Sequence, residues 1–207
     1  APAAAPAGLE RTGLAGLWTR EHRRATFALW AICFLVMFGF YFATSWTPKL
    51  LTELGMSQEQ GILGGIALMF GGTIGALLYG AATVLWPARA VFGWSIALSA
   101  VGLAAFIQAT GVPGLAFVAG VLVGLLMNAA IAGIYTLAPQ AYAARVRSSG
   151  VGVALGVGRF GAILAPIVVG ALLDAGAAPR TLYLAIAAAL LVLAPVVLLL
   201  RRAAPGD

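Results

Sequence analysis

Residues Ser149 to Leu173 read SGVGVALGVGRFGAILAPIVVGALL, 25 residues with six glycines and a single charge, Arg159. A helix rises 1.5 Å per residue, so about 20 apolar residues cross a hydrocarbon core of about 30 Å, and this stretch is long enough. The strict alternation of a membrane barrel strand is missing, and an open sheet would leave unpaired backbone groups in lipid, so the reading is a transmembrane helix. Arg159 lies about 16 Å from the start of that helix, too deep to snorkel comfortably. A charge near the midplane costs at least ~2.5–3.5 kcal/mol on insertion scales, so Arg159 is predicted to point into a bundle, toward an anion, a carbonyl cluster or water. Two roles stand: substrate binding or gating, and structural bonding to broken backbone near Gly156, Gly158 and Gly161.

The rest of the 207-residue chain follows the same pattern: 62% is hydrophobic, 27 residues are glycine, and only 9% are charged. Soluble domains carry about 25% charged residues, and this composition cannot furnish a mixed, water-compatible exterior. Soluble enzymes, nucleic-acid binders and disordered chains are excluded. The predicted spans are 25–47, 61–85, 90–109, 113–138, 149–173 and 182–200, six helices bounded by Pro48, Pro87, Pro113, Pro139 and Pro179, where a helix stops without losing an interior hydrogen bond. Residues 1–24 form a linker and basic flank, and 201–207 a tail. Ala1 to Leu9 is an Ala/Pro/Gly run without a positive n-region or apolar core. It reads as a linker rather than a signal peptide, and the chain as a piece of a longer one. The lone Cys33 and lone His22 offer neither a disulfide nor a Cys/His metal site, so no metal and no cofactor is expected.

A pI near 10.3 here encodes topology. Arg11, Arg20, Arg23, Arg24, Arg89, Arg145, Arg147, Arg201 and Arg202 fall on one side of the six spans. Lys49 and Arg180, with Glu53, Glu59 and Asp174, fall on the other. The excess of positive charge on one side predicts that both termini are cytoplasmic. The two triplets of spans are offset by roughly ninety residues. Trp46-Thr47-Pro48 closing the first span is echoed by Tyr135-Thr136 and Pro139 at the fourth, and the second and fifth are the glycine-rich pair. Two inverted three-helix repeats are expected, since an odd number of spans inverts the second unit.

Small residues recur every four positions in the second span (Gly61 and Gly65; Gly71 and Gly75; Gly72, Ala76 and Gly80) and in the fifth (Gly152 and Gly156; Ala154 and Gly158). They form thin faces for close packing, whether static or rocking. On the fourth span Gly120, Gly124, Asn128, Ile131 and Tyr135 share a stripe that could line a polar cavity or bond a neighbouring helix. The first span carries Trp30, Phe34, Phe38, Tyr41 and Ser45 on a comparable face. Phe38 and Tyr41 are candidate ring-stacking contacts beside the packing reading, and Trp46 belongs to the aromatic belt. Gln108 is placed at the outer interface. No Asp or Glu falls inside any span, so a carboxylate that titrates during proton coupling would lie outside this chain.

Arg147-Ser148-Ser149-Gly150-Val151-Gly152, continuing through Gly156-Val157-Gly158-Arg159-Phe160-Gly161 to Pro166 and Gly170, resembles the eleventh helix of major facilitator superfamily transporters, with the closest likeness to the aromatic acid:proton symporter branch. The resemblance implies an all-α membrane protein, the carboxy-terminal six-helix half-bundle of a transporter. It also implies an absent amino-terminal half as partner, a lipid bilayer around both, a small organic acid and a proton as cargo, and a bacterial inner membrane as location. In that family the first, second, fourth and fifth spans would contribute to a central cavity. This puts Arg159, Asn128, Tyr135, Phe38 and Tyr41 on cavity-forming helices as candidate substrate contacts. One departure is clear. Where the family repeats a loop motif with an acid and paired arginines, Gly80 is followed here by Ala81 to Ala88 with no acid and then a single Arg89. A cytoplasmic latch would then rest on Arg145 and Arg147 or on the other half.

Three functions are weighed. A secondary transporter fits the lone buried-span cation and the thin helices. An intramembrane enzyme needs a nucleophile–base pair inside the bilayer, and His22 lies before the first span. A passive channel or structural membrane subunit needs only the six helices.

Overall fold

The computed structural model describes residues 17–18, 20–53 and 55–200. The linker before Leu17, with Arg11, and the tail at 201–207, with Arg201 and Arg202, lie outside the described residues. All regular structure among the described residues is helical: α1 (Arg20–Glu53), α2 (Gln58–Leu85), α3 (Ala88–Ala109), α4 (Pro113–Leu137), α5 (Arg147–Asp174) and α6 (Pro179–Leu193). Short 3-10 turns follow at Ala138–Ala141 and Ala194–Leu199. Six helices are long and apolar enough to cross a membrane. The expectation of an all-α, six-span membrane protein is met.

Local chemistry explains most boundaries. A capping box starts α2 three residues ahead of the expected Gly61: the Gln60 amide donates to Ser57 Oγ (3.2 Å) and the Ser57 amide donates to Gln60 Oε1 (2.9 Å). Pro87 precedes α3, and Pro113 and Pro179 open α4 and α6, where a missing N–H costs nothing. Gly55 (φ 93°) and Gly176 (φ 88°) reverse the chain after α1 and α5 in a backbone region that side-chain-bearing residues avoid.

Two expectations on proline are corrected. Pro48 is expected at the edge of the first span, yet α1 continues through it to Glu53. Proline removes one backbone bond, and the burial of Leu50 and Leu51, both at most 1% exposed, holds the following turn in place. The sixth span is expected to run as one helix to Leu200. Instead α6 stops at Leu193 and tightens into a 3-10 turn, because Pro195 offers no amide to continue the ladder.

The two most extensive pairings are α2 with α4 and α1 with α5. They exchange when the first triplet is laid on the second, as an inverted repeat requires. Each is closed by glycine. Gly71 of α2 lies against the Val121 carbonyl of α4, and Gly161, about ninety residues later on α5, lies against the Phe34 carbonyl of α1. Gly124 of α4 returns the contact at Leu68 of α2. Such approach lets dispersion contacts drive association in lipid, where burying apolar surface gains nothing. α3 packs on α4 and α6 behind these pairs, while α5 leans mainly on α1. One side of α5 therefore stays open.

Candidate functional site

The open side of α5 carries Arg159, a charge far from either end of its helix. Gly158 and Gly161 bring α5 against Cys33, Phe34 and Met37 of α1, with Arg159 and Phe160 between them in sequence. Arg159 projects from there, exposed on the surface of the six helices, and its Nη1 donates to the Tyr41 hydroxyl oxygen at 3.3 Å. The expectation that Arg159 points into the interior of this bundle is corrected. The inward face of α5 is filled by Gly158, Gly161, Ala162 and Ala165, which leaves no room for a guanidinium.

On α1, Phe34 and Phe38 stack with centroids 6.0 Å apart and rings inclined by 26°. One turn further Tyr41 meets Phe40 edge-on at 5.5 Å. Phe34, Phe38 and Tyr41 are half-buried. On α5, Gly152, Gly156, Arg159 and Ile163 fall on one stripe at 100° per residue, and a Cβ at Gly152 or Gly156 would meet nothing within 4 Å. The facing pair of helices thus carries a cation, a neutral hydroxyl bonded to it, and, on the same two helices, a stacked aromatic pair and bare backbone. Its chemistry suits an anion that carries an apolar ring.

The other candidates lie elsewhere. Asn128 donates from Nδ2 to its own-helix Gly124 carbonyl at 3.1 Å, and its amide rests on Gly72 of α2. The Gly120–Tyr135 stripe is therefore mostly an α2–α4 packing face, and Asn128 is not brought to Arg159. Tyr135, 48% exposed, sits two turns beyond Asn128. Arg145 and Arg147 are exposed at the start of α5. Arg147 Nε donates to the Tyr142 carbonyl at 3.4 Å, tying the α4–α5 connection to the helix it feeds, and Arg145 is also engaged. Trp46 is half-buried, with Lys49 Nζ 5.0 Å from its ring centroid. Gln108 is exposed near the end of α3.

Sequence reasoning named Tyr41 for its ring and missed its oxygen as the partner of Arg159. It also left the Phe34–Phe38 stack unassigned to the site. No local signal pairs residues 118 positions apart. A separate, largely apolar cavity of about 280 Å³ opens between the end of α1 and the starts of α2 and α4, lined by Leu51, Met56, Gln60, Leu63 and Phe117. No group of acidic, histidine or cysteine side chains able to hold a metal ion occurs among the described residues.

A family model described as Major Facilitator Superfamily matches residues 29–207. The 3-(3-hydroxy-phenyl)propionate transporter of Escherichia coli K12 is 31% identical over 198 residues, 91% of this chain and 47% of that protein. The 4-hydroxybenzoate transporter PcaK of Pseudomonas aeruginosa is 31% identical over 166 residues, 80% of this chain and 37% of that protein. A gallate transporter of Pseudomonas putida is 30% identical over 168 residues, 77% of this chain and 36% of that protein. The chain spans less than half the length of each.

Proposed function

This chain belongs to the major facilitator superfamily, and we propose that it is the carboxy-terminal six-helix half of a secondary active transporter that moves an aromatic carboxylate with a proton by alternating access. The observation that carries the reading is Arg159: a guanidinium near mid-span, on an open helix face, held by the phenol of Tyr41 on the helix that also carries the Phe34–Phe38 stack. Exposed to acyl chains, that charge would be costly; facing a cavity shared with a second bundle, it attracts and orients a carboxylate while Phe34 and Phe38 contact the ring. Three relatives whose names specify phenolic or aromatic acids support the substrate class.

The described acids Glu21, Glu53, Glu59 and Asp174 sit at helix ends. The proton is therefore assigned to a carboxylate of the amino-terminal half. The side bearing Arg89, Arg145 and Arg147 faces the cytoplasm of a bacterial inner membrane, with Arg145 and Arg147 bracing the α4–α5 connection as part of the cytoplasmic latch. Asn128 and Tyr135 contribute from α4 as the bundles rock, a lesser role than that of Arg159.

The test is uptake of labelled 4-hydroxybenzoate, 3-(3-hydroxyphenyl)propionate and gallate by the full-length protein in proteoliposomes with an imposed pH gradient. Saturable, gradient-driven uptake that is abolished by Arg159→Ala and sharply reduced by Arg159→Lys is expected. Normal uptake in both variants overturns the role of Arg159, and non-saturating flux indifferent to the gradient identifies a channel.

A further inference from the structure

The partner of Arg159 is a neutral oxygen, and that choice has a consequence for anion binding. A carboxylate in the place of Tyr41 would orient the guanidinium but cancel its charge, so an incoming anion would have to displace it. A phenol accepts one of the five N–H donors and leaves the positive charge uncompensated, with four donors unbonded among the described residues and two enough for a bidentate carboxylate. The acids on the same helices, Glu21, Glu53 and Asp174, lie in the end turns of α1 and α5, and Glu53 is 3.9 Å from Lys49.

The anchor is itself braced. Phe40 meets the Tyr41 ring edge-on, and α1 is held to α5 by the close approach of Gly158 and Gly161 to Cys33 and Phe34. The distance between the phenol and the guanidinium root is therefore set by backbone packing, not by two freely rotating side chains.

We propose that Tyr41 is a positioning residue that acts through Arg159: its hydroxyl fixes the plane of the guanidinium so that the remaining N–H groups face the substrate carboxylate, and its ring is not the surface on which the substrate stacks. This rests on the assignment of Arg159 as the anion receptor. Tyr41→Phe removes only the oxygen and separates the two roles, since a stacking residue tolerates the change and a positioning residue does not.

The experiment uses the full-length transporter and 4-hydroxybenzoate as probe, with equilibrium binding and initial-rate uptake measured in the same preparations. Tyr41→Phe is expected to raise Kd and KM by about tenfold, the loss of one hydrogen bond to a charged group, while the maximal rate falls by less. In an Arg159→Lys background, where the planar fork is gone, adding Tyr41→Phe is expected to change Kd less than twofold. A Tyr41→Phe protein with unchanged Kd, or an equal tenfold loss in both backgrounds, overturns the proposal. If Arg159→Ala binds and transports normally, the receptor assignment fails and the positioning role fails with it. If Arg159→Ala is inactive while Tyr41→Phe is normal, only the positioning role is lost. A fall in thermal stability of Tyr41→Phe without a change in Kd also counts against it, because that is the mark of a purely structural contact.

Discussion

Thr47 of α1 and Tyr183 of α6 share a hydrogen bond of 2.6 Å between hydroxyls that are both almost fully buried. The Tyr183 ring is held between Phe42, 4.8 Å away and edge-on, and Phe106 at 5.6 Å. Thr47 directly precedes Pro48, where α1 loses a backbone bond, so the side-chain bond pins the helix at its weakest point. In a low-dielectric interior each hydroxyl needs the other.

Tyr183→Phe and Thr47→Val are each expected to lower stability by about 1 kcal/mol, since interhelical hydrogen bonds in membranes average less than that and reach somewhat more. The double variant should cost less than the sum of the two. Unfolding in mixed micelles followed by tryptophan fluorescence measures all three, and strict additivity would show that the hydroxyls do not depend on each other.

Tyr142 makes the opposite case. It is fully buried beneath Gly150, and its hydroxyl lies beside that of Thr26, but the two do not form a well-made hydrogen bond. Tyr142→Phe should therefore leave stability unchanged or raise it by up to about 1 kcal/mol. Burial pushes this phenol above its ordinary pKa, so the folded state disfavours phenolate, and stability should fall as pH rises beyond the unfolded value of about 10. Thermal scans from pH 8 to 11 should show a shallower decline in Tyr142→Phe than in the parent.

The glycines divide into two classes with different expected costs. A Cβ at Gly71 or Gly161 would run into the Val121 or Phe34 carbonyl, whereas Gly152 and Gly156 face open space. Gly71→Ala and Gly161→Ala should each destabilise by about 1–3 kcal/mol through overpacking. Gly152→Ala and Gly156→Ala should be neutral or stabilising, as alanine is the better helix former. Denaturation midpoints of the four variants decide it, and equal losses across them would remove the distinction.

Orientation is testable by thiol labelling in a Cys33→Ser background. Gln58→Cys and Ala144→Cys sit exposed at opposite ends of the bundle. A membrane-impermeant maleimide should reach Gln58→Cys in intact spheroplasts and Ala144→Cys only in inverted vesicles. The reverse pattern would invert the assigned topology.

Much of the fold was legible because hydropathy is a property of each stretch against its solvent. Twenty apolar residues cross a bilayer whatever lies beside them, and Arg159 stands out against any such background. The ends were less legible. Pro48 and Pro195 carry the same local penalty, yet α1 passes through one and α6 stops ahead of the other. Burial of Leu50 and Leu51 against neighbouring helices explains the continuation of α1, and no local rule contains it.

The site divides the same way. The sequence alone determined six spans, a charge imbalance across them, one cation near mid-span, and an aromatic stripe on the first helix. Only the tertiary structure decided that Arg159 meets the oxygen of Tyr41, that Asn128 turns toward Gly72, and that Gly161 rather than Gly156 touches α1. The reason is physical: partitioning into lipid acts on one helix at a time, whereas rotation about the helix axis and choice of partner are set by the fit of two surfaces far apart in the chain.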